Sequence, residues 1–78
     1  MADEAAVLKA HDEAVAAIAA RLGQALQGPQ PAAMIWPRFE TQLIRLQAET
    51  AKALGRSPEE LKSRFEAEIE KLKSTCGL

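Results

Sequence analysis

Two interruptions decide what this chain can fold into: Gly28-Pro29 with Pro31 close behind, and the run Gly55-Arg56-Ser57-Pro58. Proline cannot donate the backbone bond that continues a helix, and glycine takes the terminal turn at little steric cost. Between these breaks the chain is rich in alanine, leucine, glutamate, lysine, arginine and glutamine, which lose least on entering a helix. Aromatic residues are only 4% and tyrosine is absent. The sequence therefore predicts an all-α fold, a three-helix bundle or a helical hairpin plus third helix, in one domain spanning residues 1–78. Helices are expected over about residues 3–26, 37–54 and 58–74, with a hinge over about 27–36.

Apolar spacing assigns each helix a buried face. Leu8, His11, Val15, Ile18, Leu22, Ala25 and Leu26 recur at helical steps along the first. Trp36, Phe39, Leu43, Leu46, Thr50 and Ala53 do so along the second, with Ile44, Ala51 and Leu54 widening the stripe. Leu61, Phe65, Ile69, Leu72 and Cys76 mark a narrower line on the third. Pro37 fits the first turn of the second helix, and Ser57-Pro58-Glu59-Glu60 reads as a capping box opening the third. Glu60–Arg64 and Lys62–Glu66 stand four apart, Glu68–Lys71 and Glu70–Lys73 three apart, and each pair adds only tenths of a kcal/mol.

Hydrophobic residues are 47% of the chain, but much of that share is alanine, which removes little apolar area from water. A domain this short buries only about 60% of its unfolded surface. So lean a core is readily completed by a second copy, and an overhanging first helix would supply further contact. A homodimer is expected on both grounds.

Charge narrows the partners. Ten Lys and Arg against eleven Asp and Glu give a formal net charge of −1, without the basic excess that phosphate binding draws on. Nucleic acid is therefore not the expected partner. No run approaches the roughly 18 apolar residues that span a membrane. The acidic start, and the interruption of Ala14–Ala20 by Arg21, do not read as a secretory signal. With a single cysteine, Cys76, no internal disulfide can form, and a cytoplasmic setting is expected.

Little in the sequence points to catalysis. His11 is the only histidine, and it sits on the apolar stripe of the first helix, where a buried ring satisfied by a neighbour is the expected role. No paired His or Cys-x-x-Cys spacing suggests a metal, no glycine-rich loop suggests a phosphate, and no cofactor is expected. A nucleophile relay needs a hydroxyl or thiol beside a base oriented by a third group. Most carboxylates have cationic neighbours at helical spacing and read as a solvated face.

Two features suggest binding instead. Met34, Ile35, Trp36 and Phe39 gather large apolar side chains at the hinge, either to anchor a partner or to plug the end of the core. Arg38, Arg45 and Lys52 follow at seven-residue steps along one side of the second helix and would form a charged rim. The function expected is a small protein–protein interaction module (adaptor, accessory subunit or small regulator) acting by binding rather than catalysis. The alternative is a DNA-binding regulator. Ala51, Gly55 and Leu61 resemble the centre of a degenerate helix-turn-helix over about residues 50–65. It departs from that pattern in having Arg56 after the turn glycine, and Glu59, Glu60, Glu66 and Glu70 on the helix that would face phosphate.

Overall fold

The computed structural model describes residues 3–78; residues 1 and 2 of the expected domain lie outside it. Three α-helices and one 3-10 turn account for most of those residues: α1 Glu4–Leu26, α2 Ala32–Leu54, the turn Pro58–Leu61, and α3 Lys62–Thr75. The all-α expectation holds. With 23 residues each, α1 and α2 are both about 35 Å long. They pair antiparallel: Glu4 meets Arg56, His11 meets Thr50, and Arg21 meets Gln42. The shorter α3 has 14 residues and runs back along α1, bringing Arg64 to Asp12 and Glu68 to His11. The expected overhang of the first helix therefore disappears, because α2 is as long as α1.

The reason is where α2 begins. It starts at Ala32 rather than Pro37, with extended Pro31 as its N-cap (φ −69°, ψ 148°) and the amides of Met34 and Ile35 bonded to the Pro31 carbonyl. Helix over residues 32–36 turns Ile35 and Trp36 inward, to 2% and 5% exposure. Burying a large apolar side chain is favourable by about 2 kcal/mol, enough to offset the backbone bond that Pro37 cannot donate. Its would-be acceptor, the Ala33 carbonyl, belongs to an exposed residue that water can reach.

The helix ends differ from one another. At Gly55 the backbone turns left-handed (φ 67°), and its amide and that of Arg56 bond Lys52 and Ala51 carbonyls, closing α2 as expected. Gly28 does not take that conformation. Instead α1 tightens into short i−3 bonds, Gln27 to Gln24 and Gly28 to Ala25, and Pro29 disfavours further helix. The predicted capping box is not formed: Ser57 makes no side-chain cap bond, and a 3-10 turn stands where the third helix was expected to begin. Pro58 two residues after Arg56 keeps this junction tight.

The core runs along the hairpin as Ile18, Leu22, Ile35, Trp36 and Leu43, with Leu72 from α3 covering it and Val15, Phe39, Leu46, Ile69 and Cys76 packed around it. Ile44, expected to widen the buried stripe, is 49% exposed, and Ala53 is exposed as well. Gln47 takes the buried position instead, because α3 reaches α2 with polar atoms there. The only other large apolar side chains exposed among the described residues are Met34 and Leu78. A single copy thus leaves little of the surplus apolar surface that the lean composition suggested.

Candidate functional site

Four polar residues, one from α1, two from α2 and one from α3, point toward one another and form a seam through the bundle. His11 on α1 is 2% exposed, Gln47 and Thr50 on α2 are 6% exposed, and Glu68 comes from α3. The His11 ring sits between two partners: Nδ1 lies 2.7 Å from the Thr50 hydroxyl, and Nε2 lies 2.8 and 3.0 Å from the Glu68 carboxylate oxygens. A carboxylate can only accept, so Nε2 carries a proton toward Glu68, and in the neutral ring Nδ1 accepts from Thr50. Gln47 donates from its amide to both the Phe65 carbonyl and Glu68 Oε1. Phe65 covers the imidazole, with ring centroids 5.7 Å apart.

Outside this seam stands a second, more exposed layer. Arg64 donates to Asp12 Oδ1 at 2.6 Å, and its Nε lies 3.9 Å from Glu68. Arg64 does not pair with Glu60 as the spacing suggested, because Asp12 on α1 is nearer. The expected Lys62–Glu66 pair is present at 3.9 Å. No buried side-chain polar atom among the described residues lacks a partner. That matters, since an unpaired buried polar group costs about 1–3 kcal/mol.

Thr50, His11 and Glu68 stand in the order hydroxyl, imidazole, carboxylate, the chain of groups that activates a nucleophile. The surroundings do not suit such chemistry. Thr50 is in the interior of α2, where backbone amides are already bonded along the helix and cannot stabilise an oxyanion. His11, Asp12 and Glu68 also place one imidazole nitrogen and two carboxylates within 4.8 Å of one another, a set able to hold a metal ion. Local spacing spoke against a metal, because the third ligand, Glu68, lies 57 residues from His11. A signal was nonetheless present: His11, Gln47, Thr50 and Glu68 each fall at a buried register position of an otherwise apolar line.

The residues expected to bind a partner separate into two groups. Ile35 and Trp36 are core, and Phe39 is half-buried against it, so these three plug the hairpin end rather than present an anchor. Met34 alone of that cluster stands out, 60% exposed. Arg38, Arg45 and Lys52 are all exposed, and none forms an ion pair among the described residues. Ile44, 49% exposed, lies on the flank of that side, about a quarter turn from Arg45.

Burial raises the Cys76 thiol above its ordinary value of 9.0. No helix is long and apolar enough to cross a membrane among the described residues. Comparison with protein-family models, curated proteins and solved structures finds no match for this chain.

Proposed function

We propose that this chain works by binding another protein, as an adaptor, accessory subunit or small regulator, and that the outer side of α2 makes the contact. The observation that carries the reading is the trio Arg38, Arg45 and Lys52, exposed and without ion pairs beside exposed Met34 and Ile44. Exposed cations along one side of a helix, with Met34 in line with them and Ile44 on the flank, fit an acidic partner surface that offers a small apolar contact. Complementary charge there steers encounter and orients docking more than it adds affinity. Ile35, Trp36 and Phe39 act through this proposal only as the support that fixes Met34 and Arg38 on α2.

The homodimer expected from the composition rests on thinner support, because a second copy would find only Met34 and Ile44 to cover on this side. A reducing, cytoplasmic setting belongs to the same reading and is supported by the free thiol of Cys76.

Affinity capture from the native host with the full chain and with the Arg38→Glu, Arg45→Glu, Lys52→Glu variant tests the reading. A partner retained by the parent chain and lost by the folded variant is the expected result. Equal recovery by both would remove α2 as the contact. Gel retardation with duplex DNA tests the alternative, for binding that weakens steeply with salt would favour phosphate contacts instead. The exposed Glu59, Glu60 and Glu66 beside the 3-10 turn favour the protein partner. Light scattering reads the oligomeric state directly.

A further inference from the structure

Where α1 passes α3, His11 Nε2 and one carboxylate oxygen from each of Asp12 and Glu68 come within 4.8 Å of one another. We propose that these three side chains bind a divalent ion of the zinc class, which ties α1 to α3. The inference goes beyond the partner-binding reading and uses none of its residues.

Ligand chemistry selects the ion. One imidazole nitrogen with two carboxylates suits zinc and its first-row neighbours, whereas magnesium and calcium take oxygen alone. Zinc ligands stand about 2.0–2.2 Å from the metal in a tetrahedron, so two of them are separated by about 3.3–3.6 Å. His11 and Glu68 already lie 2.8 Å apart, so Asp12, 61% exposed, is the side chain that must swing in by about 1 Å and leave Arg64 to do so.

The groups behind the ligands are arranged as metal sites require. A ligating histidine is held by a hydrogen bond at its other nitrogen, and here Thr50 lies 2.7 Å from Nδ1. Binding requires a bare Nε2, so the ring proton sits on Nδ1, where the Thr50 oxygen accepts it. Gln47 steadies Glu68 by donating to Oε1 at 3.0 Å. A cavity of ≈ 300 Å³ has Asp12 and Glu68 on its wall, with small Ala16 and Ala19 keeping it open. It gives an ion a path to those two carboxylates, while the buried His11 ring stands behind Glu68 and does not line it. Lys71 lines it as well and opposes the ion's charge.

Arg64 marks the place where a cation is already held. Its guanidinium lies 2.6 Å from Asp12 and 3.9 Å from Glu68, yet the side chain is 39% exposed and can turn outward to water. A divalent ion therefore competes with Arg64 for the same two carboxylates, which gives the proposal an unusual signature.

Calorimetric titration of the full chain with zinc chloride, and visible absorption with cobalt chloride, test it. One ion per chain, a cobalt spectrum distinct from the hydrated ion, and a higher Tm with metal are expected. Asp12→Asn and Glu68→Gln should each weaken binding about tenfold or more. Arg64→Ala should tighten it, and Cys76→Ser should leave it unchanged. Because Asp12 is exposed, its replacement keeps the fold, which far-UV circular dichroism checks. Binding that does not saturate, that is equal in Asp12→Asn, or that is lost in Cys76→Ser would overturn the site.

Discussion

The seam between the helices and the outer side of α2 both carry polar side chains, but in opposite circumstances. In the seam, His11, Gln47, Thr50 and Glu68 are each bonded to another member or to backbone, and three helices contribute. On the outside, Arg38, Arg45 and Lys52 all come from α2 and pair with nothing among the described residues. Polar groups that answer one another hold the chain together. Those on the outer side of α2 face solvent and add nothing to the packing of the three helices.

The largest effect should come from breaking the seam. His11→Ala leaves Thr50 and Glu68 without their shared partner and opens space at a fully enclosed position. It should cost roughly 3 kcal/mol by denaturant unfolding, a heavy loss for a domain whose whole stability is on the order of 4–12 kcal/mol. Combining His11→Leu, Thr50→Val and Glu68→Met should recover most of it, because the three partners go together and Gln47 keeps its bond to the Phe65 carbonyl. If the triple variant is as unstable as the single one, mutual satisfaction is not what the seam contributes.

A position that belongs to neither region offers a gain. Gly23 lies inside α1, and a methyl group there would meet nothing within 4 Å. Gly23→Ala should stabilise the chain by about 1 kcal/mol in thermal or denaturant melts, with the seam untouched.

Charge reversal at Arg38, Arg45 and Lys52 should change stability by only about 0.5 kcal/mol per residue, most at Lys52 in the last turn of α2, while abolishing capture of a partner. A large loss of stability there would erase the contrast between the two regions. The smallest effect belongs to Cys76. Because burial raises its thiol from 9.0, the folded chain favours the protonated form. The resulting stabilisation is complete below the ordinary value and fades as pH rises through and above it. Melting curves taken upward from about pH 9 should therefore fall slightly faster for the parent than for Cys76→Ser.

Helix class and most of the buried stripes were legible because they depend on period and punctuation alone. Leu22, Leu43, Phe65 and Leu72 are buried where the spacing put them. The start of α2 was not legible, since proline tolerance at residue 37 depended on how much Trp36 and Ile35 would bury. Nor was the cap at Ser57, where the tight path from Gly55 to Pro58 overrode a local motif. The seam was half visible. His11 stood out as a polar residue on an apolar line, but its partner Glu68 is distant in sequence and looked like one more solvated carboxylate of α3.

The unequal helix lengths have a dynamic consequence. The α1–α2 hairpin is a long mutual embrace, while α3 covers only part of it through Phe65, Ile69, Leu72 and the polar seam. Such a molecule opens in two tiers. Amide protons of α3 should exchange with deuterium well before those in the middle of the hairpin, so that the third helix comes and goes on a body that is still assembled.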